Sequence, residues 1–578
     1  MDIKEFIAGL PLLPSWAQSS PKIGYAIYTV EAILAVLFVA YLYLYPYREY
    51  TLTFKNLRGP KSVSLLFGNV PTFLKNEPQV PHRNWMKEYG LTFRYHVIMG
   101  IPRFYTADPV ALSYILGNSE KFPKPEQTRK GMADMLGNGV LVAEGLDHKR
   151  QRKLLNPSFS PLAIKQMIPI FFDKSYELKE KFLSIIEDED SFQKGASPTP
   201  PIEIDQIKGT KKIDVMTWLG KTTLDIIGLA GFNYDFNALQ DPNNELAEAY
   251  RKMFGSSLEI TPFAILQALF PIFQLIPTQR MKTVRESTRK TKEIGQKLVD
   301  EKKKAILAAH ANGLEKKEDI GTDLLSHLIK ANMATDLRPD QRLSDEEVLA
   351  QITTFMLAGN ETSSTALTWI LYSLAQNPEA QKRLREEAMS VPDERPNLDT
   401  LNSLPYMDAV IREVLRLSAP APATMREAAE ACVIPLGTPV KGRDGKMIES
   451  VNLPKGAAMM IPILNVNTSV EIWGEDAEQF NPDRFLKSTD TNSNRNSVPG
   501  VWGNLLTFLG GTRNCIGYRF ALAEIKVILF VLIRSLEFEE LPSKPKIEKK
   551  ASVVMRPRVI GEEKAGLQMP LLVRPLST

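Results

Sequence analysis

The sequence contains almost no cysteine: Cys432 and Cys515 are the only two in 578 residues. A disulfide framework is excluded, as is a zinc or iron–sulfur site built on several thiolates. Histidine is nearly as scarce. His82, His96, His148, His310 and His327 are scattered, and no two stand in an H-x-x-x-H spacing. A first-row metal held by several side chains is therefore not expected, while a metal carried in by a cofactor stays open. Charge of one sign is lacking too. The 71 Lys+Arg face 67 Asp+Glu, a net of +4, which makes no global field for gathering nucleic acid, so no nucleic-acid partner is expected. No repeat appears at a solenoid or propeller period. What is present is an ordinary globular composition, 44% hydrophobic and 24% charged. That suffices for a large core and excludes wholesale disorder.

One long apolar run stands out. Ile23–Tyr45 reads IGYAIYTVEAILAVLFVAYLYLY, long enough to cross ~30 Å of hydrocarbon with some tilt. Tyrosines gather toward its C-terminal end, as at an interface. Glu31 is the one acidic residue in it and has to stay protonated or find a partner. Arg48, Lys55, Arg58 and Lys61 follow the span, against Lys4 and Lys22 before it. The positive-inside bias then puts the large C-terminal part in the cytosol. Residues 1–22 are expected on the luminal side, with Phe6–Trp16 in the interface, 23–45 as a transmembrane helix, and 46–69 as a Pro/Gly linker feeding a catalytic part over 70–578.

Helical patterns dominate that catalytic part. Ser344–Gln376 is the longest, with Ser344 and Glu347 fitting a capping box and Asn377-Pro378 ending it. Ile213–Phe236, Arg280–Ala311 (its lysines read as a solvated face), Pro405–Leu417 and Ile516–Leu536 are further helices. Strand-like runs are few: Phe93–Ile98, Arg103–Thr106, Ala457–Pro462 and Gly566–Val573. Glu187–Lys212 and Lys487–Asn504 are polar and loop-like.

Phe508–Gly517 reads FLGGTRNCIG. A lone cysteine most often ends as a buried inert thiol, but this one has unusual neighbours. Gly510 and Gly511 permit a tight turn and a close backbone approach. Arg513 sits two residues before Cys515, and an apolar helix starts directly after it. A thiol at a helix N-terminus beside arginine is expected to have a depressed pKa and to ligate a metal as thiolate. Phe508, Gly511, Arg513, Cys515 and Gly517 match F-x-x-G-x-R-x-C-x-G, and on these residues the chain resembles the cytochrome P450 superfamily. The resemblance implies heme b bound at this loop, Cys515 as its axial iron ligand, and Arg513 paired with a propionate.

Three further stretches fit. Glu413 and Arg416, in VIREVLR, are spaced to interact on one helix. By resemblance they form a buried triad with Arg484 of FNPDRF, although surface ion pairs give the same spacing. AGNETS, Ala358–Ser363, fits A/G-G-x-D/E-T-T/S. Gly359 there is expected to leave room for a flat ligand or O2, with Glu361 and Thr362 delivering protons. A mid-helix threonine also commonly bonds back to the i−4 carbonyl, and both readings stand at this point. His148 and Arg152, in HKRQR, match W/H-x-x-x-R and are expected at a propionate, as is Arg426 of ATMREA. The resemblance runs from about Leu57 to Pro570 and is closest to fungal members.

It implies a mainly α, single large helical domain with minor β-sheets behind one transmembrane helix, in place of the roughly four domains that length alone suggests. It implies a heme-thiolate monooxygenase in the endoplasmic reticulum membrane, single-pass, fed by NADPH-cytochrome P450 reductase and acting on an apolar small molecule. A terpenoid of fungal secondary metabolism is the first expectation; fatty acids and polyketides follow. Phe355, Met356, Ala419, Ala421 and Ala423 are expected in the pocket wall. The alternatives are a reductase-independent heme-thiolate isomerase or dehydratase, and a heme-binding membrane protein without turnover.

Overall fold

The computed structural model describes residues 21–187, 209–241, 278–311, 323–333, 341–486, 497–551 and 554–576, with a few single positions between 242 and 340. Phe6–Trp16 and most of the two polar loops lie outside the described residues. The described residues begin with helix α1 (Pro21–Leu42), which runs through a wider turn at Tyr43–Tyr47 and a last turn at Arg48–Thr51. Pro46 sits in the wide turn, where a missing N–H is more easily accommodated than in a regular α-turn. The side chains from Val30 to Leu42 are largely exposed. One helix among the described residues is thus long and apolar enough to cross a membrane.

The stretch after Tyr45 is not a free linker. It is helical to Thr51, and Leu52, Phe54 and Leu57 are buried. Glu49 pairs with Arg94, itself almost wholly buried, and with Arg443 at 2.9 Å. A Cβ on Gly59 would stand 1.7 Å from the Arg94 carbonyl. The Pro/Gly segment therefore lies against the domain as part of its wall.

In chain order there follow β1 (Thr92–His96), β2 (Pro102–Thr106), α2 (Glu126–Leu136), α3 (Gly145–Leu155), α4 (Pro161–Glu187), β3 (Lys211–Asp214), α5 (Val215–Phe232) and α6 (Gln279–Ala311). Next come α7 (Asp345–Gln376), α8 (Pro405–Leu417), β4 (Thr424–Glu427), β5 (Cys432–Lys441), β6 (Met447–Leu453) and β7 (Ala458–Ile461). The chain closes with α9 (Tyr518–Ser535), β8 (Leu536–Glu539), β9 (Ile547–Ala551), β10 (Met555–Val559) and β11 (Pro570–Pro575). Helix α7 begins where its capping box requires: the Glu347 N–H donates to Ser344 Oγ at 3.2 Å, and the Ser344 N–H to Glu347 at 2.9 Å. Its 32 residues make a rod about 50 Å long.

The helices close on one apolar core built from α4, α5, α7, α8 and α9. A second core sits under a four-stranded sheet, order β1-β2-β7-β4, in which only β2 and β7 run parallel. β3, β11 and β8 form a smaller sheet; β5–β6 and β9–β10 are hairpins. The architecture is mainly helical with minor sheets. The β5–β6 hairpin goes unnoticed in the sequence reading, although Arg443-Asp-Gly-Lys446 between two alternating runs marks it, with Gly445 at φ +82°. Lys211–Asp214 pairs as a strand with β11 before α5 starts.

Candidate active site

The Phe508–Gly517 loop enters between the two cores just before α9. Its glycines are required by contact. A Cβ on Gly510 would lie 1.5 Å from the Pro499 carbonyl, and one on Gly511, at φ +66°, 2.1 Å from the Leu116 carbonyl. The loop can therefore press flat against two other segments only without side chains there. The Cys515 N–H donates to the Phe508 carbonyl at 2.9 Å, closing the turn that presents the sulfur. Cys515 is solvent-accessible although protein packs densely around it, so it lines an interior cleft.

Its titration differs from the expectation. Burial pushes the Cys515 thiol up, outweighing the Gly517 N–H and the Arg152 guanidinium that favour thiolate. Arg513 is not the cation acting on the sulfur, because its side chain turns to Glu144 and to the Ala143 carbonyl, at 2.7 Å for the latter. A thiolate at this position needs a bound metal to be favoured, since coordination removes the thiol proton outright.

The basic residues singled out in the sequence do meet. His148 and Arg152 are four apart on α3 and share a face. Arg426 comes from β4, Arg513 from the cysteine loop, and Lys124, unnoticed in the sequence, from the turn before α2. Arg152 donates to the Asn514 carbonyl at 2.6 Å and to the Asn514 side chain. Arg426 is buried and satisfied locally by Thr424 and the Met425 carbonyl. Burial, with Arg426 and Arg513 nearby, pushes the Lys124 ammonium down to about 8 against the pull of Glu144. Burial, with Arg513 adding and Glu144 opposing, brings Arg426 to about 10. His148 is held neutral, at about 3, by burial and then by Arg513, Lys124 and Arg152. Lys124, Arg426 and Arg513 thus share one close carboxylate, Glu144, with Arg152 beside them on Asn514. So much unpaired positive charge in a half-buried place calls for further anions. A flat group carrying two carboxylates and a metal for Cys515 fits this donor set.

Helix α7 carries AGNETS in mid-helix. Gly359 does not face the cleft: a Cβ there would lie 2.8 Å from Ile227 of α5. Its small size serves helix packing, and the expected room for a ligand is not its role. Asn360 is tied to the same helix, accepting from Thr223 at 2.7 Å. The Thr362 hydroxyl donates to the Ala358 carbonyl at 2.6 Å, leaving its oxygen as an acceptor. Glu361 is ion-paired with Arg556 of β10, a partner nearly two hundred residues away that sequence spacing gives no hint of. Phe355 packs on Phe159, and Phe355, Met356 and Ala419 are buried in the two cores. They are not open pocket wall; Ala421 and Ala423 are only half-buried.

Behind the loop, Glu413 and Arg416 are fully buried and paired twice, at 2.7 and 2.8 Å. Arg484 reaches Glu413 at 3.5 Å and Asp476 at 2.7 Å. The Asn481 N–H also donates to Glu413, at 2.9 Å. The sequence triad is therefore a tetrad, closed by Asp476. Arg416 further donates to the Asn467 and Ala477 carbonyls, pinning the segment that leads to the cysteine loop onto α8.

The family model described as Cytochrome P450 matches residues 57–561. Cytochrome P450 monooxygenase 128 of Postia placenta is 40% identical over 568 residues, covering 97% of each chain. Cytochrome P450 monooxygenase 205 of the same fungus is 42% identical over 91% of this chain and 93% of its own. Cytochrome P450 monooxygenase claP of Ampulloclitocybe clavipes is 36% identical over 90% of this chain and 92% of its own.

Proposed function

The chain belongs to the cytochrome P450 family, an oxidoreductase that inserts oxygen and uses heme b, and on that premise we propose that it is a membrane-anchored monooxygenase of an apolar small molecule. One observation carries the residue assignments: an accessible cysteine, cradled by glycines, faces a cluster of cations short of anions. Cys515 would ligate the heme iron, and Arg152, Arg426 and Arg513, with Lys124 and the neutral His148, would hold the propionates. Heme, when bound, supplies the oxygen-activating chemistry, and the protein supplies position and protons.

On the opposite wall Thr362 offers its oxygen as an acceptor within the cleft, while Glu361 exchanges Arg556 for water to pass protons inward. The Glu413–Arg416–Arg484–Asp476 cluster keeps the cysteine loop in register. Electrons come from NADPH-cytochrome P450 reductase in the same endoplasmic reticulum membrane, with the catalytic domain cytosolic. The substrate class is bulky and apolar, a terpenoid of fungal secondary metabolism first; the fungal relatives support that setting.

Two measurements test this. With reductase and NADPH in liposomes, terpenoids should give type I spectral shifts and product, ahead of fatty acids and aromatic polyketides. A selective response to a small polar compound overturns the substrate class. Full-length protein in microsomes should resist extraction by carbonate or high salt, because α1 exposes a continuous apolar surface. Release into the supernatant would remove the transmembrane assignment.

A further inference from the structure

Glu524 lies on α9, nine residues beyond the cysteine, and is wholly buried. Neither of its carboxyl oxygens has a hydrogen-bond partner. The polar group nearest to acting on it is Ser363 of α7, also buried and with its own Oγ unpartnered. The two side chains face one another where the helix that starts at the cysteine loop crosses the helix that carries Glu361 and Thr362. They are close enough to interact, but not in the geometry of a formed hydrogen bond.

Charged groups on the surrounding elements are engaged elsewhere. Lys174 of α4 pairs with Glu177, and Lys526 of α9 with Asp408 of α8. Glu361 of α7 pairs with Arg556, and Glu537 of β8 with Arg574. Asp399 of the short Leu398–Asn402 helix pairs with Lys165. Arg385, on the helix Pro378–Met389, donates to the Ile533 and Leu536 carbonyls. None of them acts on Glu524.

An ionised carboxylate in that place has neither a counter-charge nor a donor beyond one hydroxyl, and such burial is strongly disfavoured. A protonated one gains an O–H donor that matches the free Ser363 oxygen. We propose that Glu524 is a neutral carboxylic acid in the folded enzyme and a positioning residue: it binds Ser363 and sets the Glu361–Thr362 segment against the cysteine helix. Neighbouring residues on a helix move as one body, so the contact acts on Thr362 through the backbone rather than by touching the reacting atoms.

Burial also pushes the Glu524 carboxyl up to about 8, which gives a signed prediction. The unfolded chain loses this proton near the ordinary carboxylate value, the folded chain only near 8. The folded state therefore binds the extra proton between them, and the stability tied to it is full below about 4.5 and lost as pH rises through 8.

The holoenzyme and its Glu524→Gln variant test the charge state. Difference infrared spectra at neutral pH should show a protonated-carboxyl stretch, shifted in D2O, that the variant lacks. Between pH 6 and 8 the variant should gain unfolding stability relative to wild type, by about tenfold in the equilibrium constant per pH unit. An absent band and a pH-independent gap both mean an ionised Glu524 and overturn the proposal. Product per NADPH tests the positioning. Glu524→Leu and Ser363→Ala should each lower it about fivefold with the thiolate-type reduced-CO band retained. Glu524→Gln should restore most of it, and the Glu524→Leu/Ser363→Ala double variant should lose no more than either single. Full coupling in Ser363→Ala overturns the positioning role, since a merely structural contact shifts melting alone.

Discussion

Cys515→Ala is expected to abolish the thiolate-type reduced-CO band and reduce oxygenation to background, with the fold largely retained. The retention follows from the contacts. What closes the loop is the backbone bond from the Cys515 N–H to the Phe508 carbonyl, which alanine keeps. The glycine contacts at Gly510 and Gly511 involve no sulfur, and the Glu413–Arg416 pair behind the loop is untouched. What is lost is the only thiol in the cleft; the other cysteine, Cys432, starts β5 on the sheet side of the molecule. Circular dichroism, heme content and the CO difference spectrum read these effects separately. A normal CO band with turnover in the variant would sink the assignment of Cys515.

Thr362→Ala has the second largest expected effect. The variant should bind heme and substrate and consume NADPH, yet divert electrons to hydrogen peroxide. Product per NADPH should fall about tenfold, about 1.4 kcal/mol of partitioning. The helix should survive, because the hydroxyl's bond to the Ala358 carbonyl is of a kind that slightly weakens helices, and alanine is the best helix former. What disappears is an acceptor oxygen beside Glu361, the group proposed to pass protons inward. Product, peroxide and NADPH measured together decide the matter. Unchanged coupling would mean that the hydroxyl serves the Ala358 carbonyl alone. A heme-thiolate isomerase, which needs no proton delivery here, would also show no uncoupling.

Several features were legible in the residues because their causes are local. Ser344 and Glu347 cap α7 reciprocally, and Pro405 opens α8 where proline lacks only an N–H that has no helical partner. Glu413 and Arg416 meet because three residues on a helix bring side chains together. The cysteine loop was legible for another reason, since its residue types are dense and specific. Arg484 reached the same glutamate across 71 positions, which only the family resemblance anticipates.

Other readings changed when the partner came from far away. Gly359 looked like space for a ligand and instead admits Ile227. Glu361, expected as a proton donor, is held by Arg556. The thiol looked acidic from its helix and arginine, but burial dominates and Arg513 turns to Glu144. Phe355 and Ala419 looked like pocket wall and are core.

The sequence by itself determined helices α5 to α9, the apolar span and the family, and singled out Cys515 as the candidate ligand. Each depends on residue types at short spacing, where backbone geometry leaves few choices. Tertiary structure alone decided which way each polar group faces, what it pairs with and how its proton is held. Those depend on burial and on charges contributed by segments hundreds of residues apart. Glu524 illustrates the division: on its helix it is one more glutamate, and only the closed core, with Ser363 opposite and no cation in reach, makes it an acid that keeps its proton.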